Sequence, residues 1–262
     1  MMGETDSIFD DIARHYDLLY EDREDDLAMW LELTAELEGD ALEVGCGTGR
    51  VMLPLLQHDR RVTGLDISQV ALRTARARLK AGGFTAVAAL HLADMRDFDL
   101  PQKNFAFAFI PINTFMHCQT LADQQATLNC IYNHLQPGGR LVIDLYHPDP
   151  QTLLEADGRL LLENQIVDDL TGRTVHWFVV RRLRLDQQVQ EVTFILDEIA
   201  DDGTIRRDTL LFPLRYLHRF EMELLLKSVG FQLEDILGDY DLSPFQAESP
   251  RMIFIAKKVS IA

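Results

Sequence analysis

The chain has 262 residues, 47% of them hydrophobic, enough to bury one full core and a small appended layer. Its formal net charge of −17, from 25 Lys and Arg against 42 Asp and Glu, repels phosphate backbones and disfavours a nucleic-acid partner. No apolar run reaches the roughly 18 residues that span a bilayer, the acidic N-terminus lacks the features of a secretory signal, and Cys46, Cys118 and Cys130 are scattered as free thiols would be, so a cytoplasmic protein is expected.

Phe9, Ile12, Tyr16 and Leu19 recur at helical spacing and predict a helix over 8–20 with one face on the body of the protein. An acidic loop, Glu21 to Asp26, leads to a second amphipathic helix around Leu27 to Leu33 that stops near Gly39. The stretch Ala41-Leu42-Glu43-Val44 then reads as a short apolar strand. It runs into Gly45-Cys46-Gly47-Thr48-Gly49-Arg50 and a helix-like segment from Val51 to Leu56. A strand, a Gly-rich turn and a helix start are the parts of a nucleotide-type cofactor site, because glycines let a ligand reach main-chain atoms that any Cβ would cover. The dinucleotide fingerprint is G-x-G-x-x-G, whereas the third glycine here comes one residue sooner and an acid, Glu43, precedes the first.

Arg61 to Ser68 predicts a second strand ending in Asp66, 21 residues beyond Gly45, near the interval at which such folds set a carboxylate on ribose hydroxyls. Ser68 is a natural cap for a helix over 69–80, which Gly82 and Gly83 end. A third strand is expected over 86–95 and a fourth, apolar throughout, over Phe105 to Ile110. Beyond the loop 111–117 come a helix over 122–135, a Pro137-Gly138-Gly139 turn and a fifth strand from Arg140 to Pro148. From about 151 to 214 the pattern changes to alternating segments rich in Val, Ile and Thr, over 160–168, 174–186, 189–200 and 204–214, which predict an antiparallel meander. A last helix runs from about Arg215 to Val229, and Phe231 to Leu237 with Arg251 to Lys258 form a closing hairpin.

The string E-V-G-C-G-T-G at Glu43 to Gly49 resembles motif I of the class I S-adenosylmethionine-dependent methyltransferases, and the later elements follow in that family's order. The resemblance implies an α/β fold, a doubly wound Rossmann-like sheet of seven mainly parallel strands with an antiparallel β insertion. It divides the chain into an N-terminal helical lid (1–40), a cofactor-binding core (41–150), the insertion (151–214) and the last helix and hairpin (215–262). It implies S-adenosyl-L-methionine as cofactor, S-adenosyl-L-homocysteine as product, and methyl transfer to N or O of a small-molecule acceptor. Glu43, Gly45, Cys46, Gly47 and Gly49 would face the methionine portion, and Asp66 and Ile67 the ribose. Asp94 and Met95 would meet the adenine, and Ile110, Asn113 and the lid residue Tyr16 would complete the site.

Acceptor contacts would come from Tyr20, Tyr146, Trp177, Arg181 and Tyr216, and the insertion could also form a homodimer layer. Arg184 is a further cation of that segment. For Tyr16 and Tyr20 the alternative is two anchors of a terminal helix. For Trp177 and the arginines it is a half-buried sheet face. A hydroxyl acceptor would need a general base, and His117, His147 and His218 are the candidates. No metal is expected, since no His and carboxylates show ligand spacing. Two other readings stay open, an NAD-dependent oxidoreductase and a non-catalytic S-adenosylmethionine-binding protein.

Overall fold

The computed structural model describes residues 4–20, 23–168 and 171–259. By its contacts the chain forms two compact units, Met1–Asp22 with Pro148–Leu217, and Arg23–His147 with His218–Ala262. The expected 1–40 segment therefore divides, its first helix going with the meander and its second with the large sheet. Of the expected acidic loop, Glu21 and Asp22 lie outside the described residues.

The larger unit is a seven-stranded sheet. Its strands are β1 (Ala41–Val44), β2 (Val62–Asp66), β3 (Ala88–Leu92), β4 (Phe105–Ile110), β5 (Leu135–Tyr146), β10 (Phe231–Leu237) and β11 (Arg251–Lys258). They lie in the order β10-β11-β5-β4-β1-β2-β3, with β11 antiparallel to both neighbours and the rest parallel. The order reverses between β1 and β4, the switch point at which open α/β sheets bind ligands. Phe-Ala-Phe-Ala-Phe-Ile of β4 is buried at every position, as a central parallel strand covered on both faces must be. Phe109 meets the ring of Trp30 from α2 (Leu27–Ala35) at 5.0 Å between centroids.

After β1 comes α3 (Met52–Gln57), and after β2 comes α4 (Gln69–Gly82), whose cap Ser68 accepts the Ala71 N–H at 3.1 Å. A capping box between Thr120 and Asp123 starts α5 (Leu121–His134), and α7 (Arg219–Val229) precedes the closing hairpin. Two expectations shift. β3 is shorter than 86–95, because 84–87 form a turn, and so Asp94 and Met95 lie in a loop. Pro137-Gly138-Gly139 falls inside β5, as the irregularity between the pairs Phe105↔Leu135 and Phe107↔Arg140.

The smaller unit holds α1 (Glu4–Tyr20), α6 (Pro150–Ala156) and a meander of β6 (Leu160–Val167), β7 (Thr174–Arg184), β8 (Val189–Ile199) and β9 (Ile205–Arg215), paired in that order. One face carries Val175, Trp177, Val179, Val192, Phe194 and Leu210, and Ile8, Ile12 and Leu19 of α1 pack against it. Sequence reading missed α6, although Asp149 caps it by accepting the Thr152 N–H at 2.8 Å and Pro150 opens it.

Candidate functional site

At the end of β1 the chain turns under two hydrogen bonds to the Leu65 carbonyl, from Gly45 N at 2.8 Å and Cys46 N at 3.0 Å. Gly45, Gly47 and Gly49 take φ of 77°, 54° and 87°, a region in which side chains are strained. A Cβ on Gly45 would overlap the Thr114 methyl, whereas a Cβ on Gly47 would meet nothing within 4 Å, so the main chain at Gly47 faces open space. Asp66, at the end of β2, binds the turn from beside it. Its Oδ2 accepts the Gly47 N–H at 2.8 Å and its Oδ1 the Ser68 N–H at 2.7 Å. Ile67 next to it is half-buried, as is Met95.

Glu43 is buried in β1, and its Oε2 has no hydrogen-bond partner. Burial pushes its carboxyl well above the usual range, an effect that Arg50 opposes and that Asp26 and Asp66 add to. A cation within reach of Glu43 would restore the ionised form. Open main chain at Gly47, a buried Glu43 carboxyl with one oxygen unpartnered and an acid bonded to the Gly47 N–H suit, in turn, the carboxylate, ammonium and sugar of an adenosyl amino acid. These residues fit S-adenosylmethionine.

The remaining predicted residues divide. Cys46 is buried, and burial raises its thiol well above the ordinary value, which suits packing rather than nucleophilic chemistry. Ile110 is fully buried at the end of a central strand covered on both faces, so any part it takes in the site is through its main chain. Asp94, expected to meet an adenine amino group, is paired with Arg96. Both its oxygens are taken by Arg96, with Nε at 2.9 Å from Oδ1 and Nη2 at 2.5 Å from Oδ2, and Oδ1 also accepts the Arg96 N–H at 2.9 Å. Burial pushes the Asp94 carboxyl up, but these bonds outweigh it and hold it low. An acid followed two residues later by Arg was the signal available.

Asn113 has φ 61°, and its Oδ1 is turned inward, accepting the Tyr146 N–H at 2.7 Å. Tyr146 is half-buried at the end of β5. His117 lies in the turn after β4, where burial of the ring lowers its pKa to about 4 although part of its surface stays accessible. Unfolding returns it to the usual 6.5, so this group's contribution to stability is complete above about pH 6.5 and is lost as pH falls toward about 4. Replacing His117 with glutamine should flatten that part of the pH profile; urea titrations at pH 7.5, 5.5 and 4.5 measure it, and parallel curves for the two proteins would refute it. His147 bonds through Nδ1 to the Ser249 carbonyl at 2.9 Å, which leaves Nε2 as the acceptor nitrogen. His218 is exposed at the start of α7, where its main-chain N–H donates to Glu221 Oε2 at 3.3 Å.

In the smaller unit, Tyr16 and Tyr20 lie 5.0 Å apart between ring centroids, and Tyr20 meets the edge of Trp177 at 5.6 Å. Trp177 and Tyr216 are buried, and Arg181 Nη2 is 3.7 Å from Glu163. Trp177 and Tyr20 belong to the apolar cluster in which α1 packs on the meander, and Trp177 Nε1 has no hydrogen-bond partner. Arg184 is exposed and ion-paired with Glu191.

Residues missed by the sequence reading surround the turn. Asp26, expected in an acidic loop, is fully buried, with Oδ1 accepting from Arg50 Nη1 and Oδ2 from Nη2, each at 2.7 Å. Asp144, Tyr240 and Arg251 form a second buried cluster.

Residues 41–139 match the family profile of a methyltransferase domain. Over 240 residues the chain is 28% identical to dTDP-3-amino-3,4,6-trideoxy-alpha-D-glucopyranose N,N-dimethyltransferase of Streptomyces venezuelae, covering 87% of this chain and 93% of that one. In fold it is similar to the CcbJ methyltransferase of Streptomyces caelestis, with TM-score 0.79, 21% identity and coverage of 97% and 99%. The sugar N-methyltransferase KedS8 of Streptoalloteichus superposes with TM-score 0.73 at 24% identity, covering 94% and 93%.

Proposed function

The chain belongs to the class I S-adenosylmethionine-dependent methyltransferases, and from that premise we propose that it methylates the nitrogen of an amino group on a small, sugar-like acceptor. The methyltransferase-domain match over residues 41–139 speaks against the nicotinamide oxidoreductase reading, and similarity to an N,N-dimethyltransferase over most of the chain favours a catalyst. The observation that carries the cofactor assignment is the open Gly47 main chain backed by the unpartnered Glu43 Oε2. When bound, S-adenosylmethionine supplies an electrophilic methyl group on sulfur.

In this reading, Glu43 compensates the cofactor's ammonium group from behind the turn. Gly45 and Gly47 present main-chain atoms to its amino-acid end, and Asp66 accepts from the ribose hydroxyls. Ile67 lies beside the ribose and Met95 packs on the adenine. Asp94, held by Arg96, acts through that pair rather than as a free acceptor. The protein's part in transfer is alignment of the acceptor with the S–CH3 bond and exclusion of water. An amine attacks in its neutral form and gives up its proton afterwards, so no strong base is required, which agrees with a His117 whose pKa lies near 4. His147, whose Nδ1 is engaged by the Ser249 carbonyl so that Nε2 is the nitrogen left to accept, is the proposed base for a hydroxyl acceptor.

The preference for an amino sugar is supported by the similarity over most of the chain to the N,N-dimethyltransferase. Tyr20, Tyr146, Tyr216 and, from the insertion, Trp177 and Arg181 remain the proposed acceptor contacts. The insertion's outward face, with exposed Leu160, Leu162 and Leu211, is the proposed surface for a homodimer. A cytoplasmic location is part of the same reading, supported by three free cysteines; among the described residues no helix is long and apolar enough to cross a membrane.

Calorimetry with S-adenosylhomocysteine, followed by transfer of labelled methyl to nucleotide-linked amino sugars and to their hydroxyl counterparts, tests the proposal. Label on the amino compounds alone supports it, and label only on the hydroxyl compounds overturns the choice of nitrogen. Asp66→Asn removes one of two anionic acceptors and should weaken S-adenosylhomocysteine binding by about tenfold or more. Equal affinity in that variant would contradict the ribose assignment.

A further inference from the structure

The loop that follows β4 is held in a conformation that Ile112 does not favour. Ile112 has φ 40° and Asn113 φ 61°, two successive left-handed residues, the first of them β-branched. Side chains of that shape are rarely found there, and such strain persists only where the surroundings over-determine it. Here the surroundings converge on Asp144 in β5. Its carboxylate Oδ2 accepts the Ile112 N–H at 3.0 Å, and its carbonyl accepts the Asn113 N–H at 2.9 Å.

Asp144 is in turn fixed from β11 and the loop before it. Arg251 Nε donates to Oδ1 at 2.5 Å, and the Tyr240 hydroxyl donates to Oδ2 at 3.0 Å. The Arg251 guanidinium lies 4.9 Å from the Tyr240 ring centre and reaches Asn113 Oδ1 with Nη2 at 3.3 Å. Asp144 is fully buried and Arg251 nearly so. The next residue of the strained loop, Thr114, places its methyl where a Cβ of Gly45 would stand, so the loop and the Gly turn are in direct contact.

We infer that Asp144, braced by Arg251 and Tyr240, is a positioning residue that locks the Ile112–Asn113 loop against the Gly45 turn and thereby sets the affinity of the cofactor site. The inference rests on the cofactor assignment made above. Burial pushes the Asp144 carboxyl up, against the pull of Arg251, so its acceptor state depends on both donors staying in place.

Tyr240→Phe removes one donor while keeping the ring and the fold, and Asp144→Asn removes the anion itself. For Tyr240→Phe the expected results are a thermal midpoint close to wild type, amide exchange at Ile112 and Asn113 about tenfold faster, and S-adenosylhomocysteine affinity about tenfold weaker. Asp144→Asn should exceed both effects, and if it fails to fold, Tyr240→Phe still decides. Exchange and affinity within about twofold of wild type in Tyr240→Phe would overturn the inference, as would faster exchange with unchanged affinity. A wild-type chain that binds no S-adenosylhomocysteine would instead overturn the proposed function, while exchange at Ile112 would still report on the lock.

Discussion

Replacing Gly47 with alanine is expected to weaken S-adenosylhomocysteine binding by about a hundredfold or more while leaving the fold in place. The two effects separate because of what surrounds this glycine. Its φ is 54° and no heavy atom lies within 4 Å of an added Cβ, so the cost to folding is the left-handed conformation alone. That cost is about 1–2 kcal/mol, and for a chain of this size it lowers the melting temperature by roughly 2–8 °C. The same methyl would project into the space over which the cofactor's amino-acid end must approach the main chain. Gly45→Ala provides the contrast, since a Cβ there would overlap Thr114 and destabilise the protein as well. Calorimetry and thermal denaturation of the two variants read the difference, and a Gly47→Ala protein that binds like wild type would remove the turn from the site.

How much of this was legible in the sequence depended on whether the signal was local. β4 was readable to the residue because six consecutive apolar positions, three of them aromatic and followed at once by Pro111, are too short for a helix and suit a covered strand. The meander was readable because alternation and turn residues such as Thr171-Gly172 and Asp202-Gly203 are local too. Asp66 could be located from its spacing after the glycines. Asp26 could not be seen for what it is, since nothing in an acidic loop says that one carboxylate will be buried against an arginine 24 residues away. Asp144, Tyr240 and Arg251 lie further apart still, the first and last separated by 107 positions, and only the fold brings them together. The Asp94–Arg96 pair was overlooked for the opposite reason. The motif drew attention to the acid, while its nearest competitor for that acid, Arg96, stood two residues on.

The largest loss of stability is expected from Asp26→Ala. Arg50 and Asp26 meet in a two-pronged pair with both distances at 2.7 Å, and their side chains are 7% and 0% exposed. Trp30 Nε1 adds a third bond to Asp26 at 3.0 Å, and Arg50 Nη1 also donates to the Arg23 carbonyl at 2.7 Å. Removing the carboxylate strands a guanidinium out of water, which costs about 3–5 kcal/mol and should lower the melting temperature by roughly 10 °C. Burial pushes the Asp26 carboxyl up, but the Arg50 and Trp30 bonds outweigh that and hold it below its ordinary 3.8. A carboxylate depressed in this way adds stability that is present above the ordinary value and is lost as pH falls through the lowered one. The gap between wild type and Asp26→Ala should therefore be wide in urea titrations at pH 7 and should narrow in strong acid. Replacing both partners with leucine should recover part of the loss, because no unpaired charge is then left behind. A single variant that melts within about 2 °C of wild type at pH 7 would mean that Arg50 finds water or another anion, and that the pair does not hold α2 against the Gly turn.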